Sequence, residues 1–179
     1  MIASLRRSVA LAFFAATLAP LAAFAQQQPK EVKQATHGDW EIICVEGTDI
    51  CRMEQYGKAN DAQRALLVRL QRVSGVATNE GGQVPALISM LSPLGVLLPY
   101  SLRVQIDSGA QKRLPFERCL PQGCLAAGPM TDETVGELKR GNNMSVEFVF
   151  ERKETAQVSL RGFTKAYNSL KPIPAKQSR

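Results

Sequence analysis

The residues of this chain best placed to do chemistry are four cysteines: Cys44, Cys51, Cys119 and Cys124. Such a set can ligate zinc, cycle as a redox pair or close disulfides, and spacing and compartment decide which. Zinc fails on inventory. The spacings are C-x6-C and C-x4-C, and His37 is the single histidine available to complete a ligand set. A dithiol redox centre wants C-x-x-C, which this sequence lacks. In an exported chain an even count reads as disulfides, with three connectivities open. Spacing favours two local bridges, Cys44–Cys51 and Cys119–Cys124. Each flanks a turn-forming stretch, Glu46-Gly47-Thr48-Asp49 in the first and Pro121-Gln122-Gly123 in the second. Bridges over loops this short contribute roughly 2 kcal/mol each, so they pin hairpin ends rather than hold the fold. A bridge from one pair to the other would overturn this pairing.

Other catalytic sets are weaker. A His-dependent nucleophile system would have to use His37, beside a polar leader, and no Gly-x-Ser-x-Gly elbow accompanies it. His37 reads instead as a strand-entry residue. The neighbouring carboxylates Asp132/Glu133 and Glu151/Glu154 fall at capping or exposed positions, whereas glycosidase chemistry needs two carboxylates roughly 5–9 Å apart across a cleft. Gly81-Gly82 lies in a polar run and makes no phosphate cradle. Trp40, the single tryptophan, is a core anchor before it is a ligand platform. The expectation is therefore no catalytic residue, no metal ligand and no cofactor, with binding residues unassigned.

The compartment follows from residues 1–25, which read as a signal peptide. Arg6 and Arg7 form a basic start, Val9–Ala16 an apolar run, and Ala23-Phe24-Ala25 a small-residue cleavage site. A membrane anchor is the weaker reading, because Pro20 interrupts a run already short of the roughly 20 apolar residues a bilayer needs. Removing 25 residues from 179 leaves 154, enough for one domain. Those 154 carry 20 basic and 16 acidic residues, net +4. Without a stripe of Lys and Arg interleaved with aromatics, this is no nucleic-acid footprint. No second hydrophobic span follows, so no transmembrane segment is expected in the mature chain. Residues 26–36 are polar and read as a flexible leader, 37–171 as the folded domain, and 172–179 as a polar tail.

Within the domain the hydrophobic period is two. Trp40, Ile42 and Cys44 share a face, as do Leu66, Val68 and Leu70, then Leu102, Val104 and Ile106. Met144, Val146, Phe148 and Phe150 follow the same rule, and so do Val158 and Leu160. Turn residues punctuate them, Asp107-Ser108-Gly109 and Gly141-Asn142-Asn143 among them. Many short strands so divided predict an all-β, two-layer antiparallel sandwich. Two short helices interrupt it. Thr131 caps the first, Asp132 and Glu133 suit its start, Lys139 and Arg140 its end, and Gly141 its C′ position. Phe163, Ala166, Tyr167 and Leu170 form the stripe of the second, ending before Pro172. The run Leu87–Pro99 is the most apolar of the mature chain. It predicts a core strand, a turn and a second buried strand, the alternative being an exposed apolar loop that meets a partner.

Several motifs together resemble the invasion-associated locus B family. They are His37-Gly38-Asp39-Trp40 leading to Cys44 and Cys51, Pro93-Leu94-Gly95-Val96-Leu97-Leu98 before the Ile106-Asp107 strand, Leu114-Pro115-Phe116-Glu117-Arg118-Cys119 with Gly123-Cys124, and Ser159-Leu160-Arg161-Gly162-Phe163-Thr164-Lys165-Ala166. The similarity runs from about residue 37 to 170. It implies an immunoglobulin-like β-sandwich in the periplasm, at the outer membrane or secreted by a Gram-negative bacterium, in a family named for host-cell entry. The cysteines transfer as structural residues, and no binding site transfers. The function expected is non-enzymatic, through contacts with an envelope or host-surface protein. The alternative is a periplasmic small-ligand or glycan-binding module, which would need an apolar pocket with a few convergent polar groups. An envelope hydrolase ranks last, because no site supports it.

Overall fold

The computed structural model describes residues 29–59, 64–77 and 81–174. The expected signal peptide and residues 175–179 of the tail lie outside the described residues. The strands are β1 (Glu31–His37), β2 (Trp40–Val45), β3 (Cys51–Lys58), β4 (Arg64–Ser74) and β5 (Ala86–Ser92). After a short 3₁₀ turn at Leu98–Tyr100 come β6 (Leu102–Ile106), β7 (Lys112–Leu114), β8 (Phe116–Leu120) and β9 (Gly123–Met130). Helix α1 (Asp132–Arg140) leads to β10 (Asn143–Val149) and β11 (Lys153–Ser159), then α2 (Phe163–Ser169) and the two-residue β12 (Ile173–Pro174).

Hydrogen bonding joins the strands in the order β7-β6-β10-β11-β3-β4-β5-β9-β8, with β2 also on β3 and β1 on β2. Every pairing but β12 with β4 is antiparallel. The two expected layers are parts of this one folded sheet. β1-β2-β3-β4-β5-β9-β8 makes the first and β7-β6-β10-β11 the second. One joint is a single register pair, Gln157 with Lys58; the other is Pro115, between β7 and β8. Proline lacks the N–H that would carry a ladder through that corner.

The alternation read from sequence is the alternation that is buried. Trp40, Cys44, Met53, Val68, Leu70, Met90 and Ala126 face Leu102, Met144, Val146, Phe148, Ala156 and Val158, all essentially inaccessible. Full burial of such side chains is worth about 1.5–3 kcal/mol each for the larger ones. Strand directions place both helices at one end of the sandwich, and the 93–101 loop and the β8–β9 and β10–β11 turns at the other.

Three expectations need correction. Residues 31–36 of the predicted flexible leader form most of β1, whose ladder to β2 runs from Glu31–Val45 to His37–Trp40. Composition hid it because β1 is an edge strand with little to bury. Ala35 packs on the core, while Lys33 pairs with Glu41 and Glu31 with Arg52 on the surface. Charges and a register shift between Lys33 and Ala35 are what an exposed edge needs to resist further pairing. Likewise, Ile173 and Pro174 of the predicted tail pair with Val73 and Ser74. There β4 has outrun β3, whose last pair is Met53 with Leu70. Finally, Gly141 follows α1 but with φ −74°, not in the left-handed region. It is glycine for space, since a Cβ there would sit 2.8 Å from Ile106 and 2.9 Å from Leu160.

Candidate functional site

The cysteines come together in the local pairs. Cys44 lies opposite Cys51 in the β2–β3 register and is bonded to it, and Cys119 bears the same relation to Cys124 across β8–β9. Cys44 and Cys124 are buried, and Cys119 lies at the surface. Both bridges tie strands already joined by a short turn. His37 ends β1 opposite Trp40. Asp132 and Glu133 occupy the first turn of α1, capped by Thr131 Oγ1, which accepts from the Thr134 N–H. Glu154 accepts from Arg152. The sequence-selected carboxylates therefore serve capping and surface pairing.

Two of the sequence motifs meet, although about 120 residues separate them. The turn His37-Gly38-Asp39-Trp40 interlocks with the segment Ser159–Phe163 that connects β11 to α2. The Trp40 indole N–H donates to the Ser159 carbonyl at 3.1 Å, and the ring meets Phe163 edge-on at 5.4 Å. The Asp39 backbone N–H donates to the Arg161 carbonyl, and its carboxylate accepts from the Arg161 guanidinium. That guanidinium, helped by a hydrogen bond from Ser159, holds the Asp39 carboxyl below the usual carboxylate range. Backbone approaches backbone here. A Cβ on Gly38 would lie 2.3 Å from the Arg161 oxygen, and one on Gly162 2.1 Å from the His37 oxygen. Both glycines also have positive φ, +60° and +87°, so this clasp admits no side chain at either position.

The clasp closes a fork in the sheet. β3 is flanked by β2 along its first half and by β11 only at its last residue, so β2 and β11 diverge. In the gap Gln55 stands in for missing ladder bonds. Its amide donates to the Ser159 carbonyl at 3.0 Å and accepts from the Ser159 N–H at 2.9 Å. Outside the fork lies a polar groove floored by Glu54, Tyr56 and Lys58 and walled by Glu41, Gln157 and Arg161. Glu54 accepts from both Arg52 and Arg69. A second hydrogen-bonded arrangement lies beside it: the Arg52 guanidinium grips both Glu31 oxygens, which holds Glu31 low and Arg52 high in pKa. The groove's acids are committed to cations, Asp39 to Arg161, Glu41 to Lys33 and Glu54 to Arg52 and Arg69.

The opposite character marks the end away from the helices. Leu87–Ser92 is a core strand as predicted, but the expected second buried strand is an exposed loop. Leu94 is 55% exposed, Leu97 and Leu98 44%, and Tyr100 50%, with Val96 alone turned inward. The reason is the absence of an open edge. β5 is paired on both sides and so is β6, and Pro99 cannot donate. The loop is fixed by one bond from the Leu97 N–H to the Val149 carbonyl at 2.7 Å and by Gly95 seated against the half-buried Phe150. Phe150 in turn meets Phe148 edge-on at 5.6 Å. Sequence reasoning held this apolar knob only as the alternative to a second buried strand, and did not assign the Gln55 bridge. The run's leucines were the signal for the first, and nothing local marked the second.

Among the described residues no helix is long and apolar enough to cross a membrane. The comparisons agree with the motif resemblance. Residues 40–171 match the profile of the family described as invasion associated locus B (IalB) protein. The chain is 32% identical over 176 residues to the invasion protein B homologs of two Brucella abortus strains, 2308 and biovar 1 strain 9-941, covering 93% of this chain and 96% of each relative. The crystal structure of invasion associated protein b from Bartonella henselae superposes with a TM-score of 0.58 at 21% identity, over 75% of this chain and 92% of that one; at that identity it supports the fold alone. By profile and by relatives, this chain belongs to the invasion associated locus B family.

Proposed function

We propose that this protein is exported to the envelope of a Gram-negative bacterium and acts there without catalysis, by contact with another envelope or host-surface protein. The observation that carries the reading is the knob of Leu94, Leu97, Leu98 and Tyr100 on one anchored loop. Scattered exposed leucines need no explanation, but four large apolar side chains within seven residues form a patch of the kind that marks interaction sites. Tyr100 adds an aromatic, a residue type enriched at interface centres. Family membership and two disulfides support export, since such bridges persist in oxidising compartments. The family name concerns host-cell entry, and whether this chain meets its partner inside or outside the outer membrane is a matter for experiment.

The test places a photo-cross-linking residue at Leu98 and, as a control, at Lys33 on the charged β1 edge, in the source cells. The expected result is a discrete adduct from position 98 that the Leu94→Ser/Leu97→Ser variant abolishes. Equal adducts from both positions, or none from 98, would overturn the reading. Protease added to intact cells and to spheroplasts then assigns the side of the membrane.

A further inference from the structure

Besides the β2–β11 fork, the sandwich has a seam between β7 and β9 that no ladder closes, and a largely apolar pocket opens beside it. β7 pairs with β6 alone and β8 covers β9 only from Gly123 to Ala126, so β7 and the end of β9 run side by side without strand pairing. Pro129 on that end of β9 has no N–H to offer. Side chains bridge the seam instead. Leu114 lies over Gly128, where an added Cβ would come within 3.0 Å of it. Lys112 reaches from β7 to α1, donating to Glu137 and, at 3.0 Å, to Thr134 Oγ1.

Beside these contacts the two layers leave a half-open pocket of about 170 Å3, lined by Met90, Met130, Met144, Val104, Ile106 and Leu138. That volume is close to the roughly 150 Å3 of an apolar cavity known to stay dry and to take up benzene. The lining is unbranched thioether and aliphatic, and thioethers adapt in shape and make favourable contacts at the edges of aromatic rings. The polar groups in the lining are Lys112 and Thr134, which bond to each other between β7 and α1, and Arg113. An apolar pocket with a few convergent polar groups is the usual form of a small-molecule site. From these observations we infer that the β7–β9 seam is a binding site for a small apolar molecule of one aromatic ring, entered by parting Lys112 from α1. This inference is independent of the protein-contact reading, because the pocket shares no lining residue with the apolar knob.

The chain carries its own reporters. Of its five methionines, three line the cavity, while Met53 is fully buried without lining it. The experiment is a titration of the full chain, labelled at the methionine methyls, with indole followed by NMR. The expected result is saturable, ring-current-sized shifts at Met90, Met130 and Met144, none at Met53, and a Kd of roughly 0.1–1 mM, the range open to so small a ligand. In the Val104→Phe variant, which fills the space, the shifts should vanish. Met144→Leu conserves volume and should bind within about threefold of the parent. Absence of shifts in the parent, or equal shifts at Met53, would overturn the site whether or not Val104→Phe folds. Indole is a probe of the chemical class, and success with it would leave the partner at the apolar knob a separate question.

Discussion

At the scale of single residues, Gln55 and Asp39 do what no sequence pattern announces. Gln55 occupies an inward position among apolar neighbours and satisfies both backbone groups of Ser159. Gln55→Leu would keep the shape but leave the Ser159 N–H without its acceptor, at a cost of about 1–3 kcal/mol. Urea denaturation would register this as a lower midpoint with an unchanged slope. Asp39 gives a pH test. Its folded-state pKa is lowered from 3.8, chiefly by the Arg161 guanidinium. A lowered carboxyl contributes stability that is full above the unfolded-state value and lost as pH falls through the folded one. Asp39→Asn should therefore melt below the parent at neutral pH, and the two curves should converge as pH falls through the lowered folded-state value. A gap that stayed constant into acid would assign the loss to packing rather than charge. The pair is well exposed, so added salt should shrink the neutral-pH difference as well.

At the scale of elements, two glycines separate dihedral cost from collision. Gly162 and Gly47 both have positive φ, +87° and +74°, but an added Cβ meets the His37 backbone at the first and nothing within 4 Å at the second. Gly47→Ala should cost about 1–2 kcal/mol, the penalty for the left-handed conformation. Gly162→Ala adds a forced separation of two backbones and should cost about 3 kcal/mol or more. Comparable midpoints for the two would show that the clasp yields more readily than its geometry says. Thr131→Ala should remove the cap of α1 at about 1 kcal/mol, read in the same assay. Elements whose residues alternate or carry caps were legible in the sequence. β2, β4, β6 and β10 show the expected inward faces, and Thr131 caps α1 as its neighbours indicated. What escaped is set by which strand edges the fold leaves open. β1 is a strand because β2 offers it an edge. The 93–100 stretch is not a strand because β5 and β6 offer it none. Local composition holds neither fact, and the same limit hid Gln55, whose role depends on β2 and β11 diverging.

At the scale of the whole molecule, the stabilising contributions are spread. The disulfides close loops of only 7 and 5 residues in sequence separation. Replacing either pair with alanine should cost roughly 2 kcal/mol of loop-closure stabilisation, plus a packing loss at buried Cys44 or Cys124, and leave a cooperative fold. Loss of cooperative unfolding on reduction would show that the bridges carry more than the chain-entropy argument allows. The two ends differ in character, with α1, capped by Thr131, and α2 at one and the leucine knob at the other. The fold class was legible because a strand pattern fixes which residues turn inward; the exposed 93–101 loop stood only as an alternative, because the pattern does not fix which loop is left uncovered.

The clasp between Gly38 and Gly162 also bears on the order in which the chain can fold. The Trp40 indole finds its acceptor 119 residues later, at Ser159. A chain leaving a translocation channel N-terminus first would form the β2–β3 hairpin early, yet its tryptophan would wait for nearly the whole domain to emerge. Contacts so distant in sequence slow folding, because the entropy of closing the loop is lost before the contact rewards it. Completion is thus assigned to β11 and the segment that follows it, and a chain cut short ahead of Ser159 would lack the contact that joins its beginning to its end.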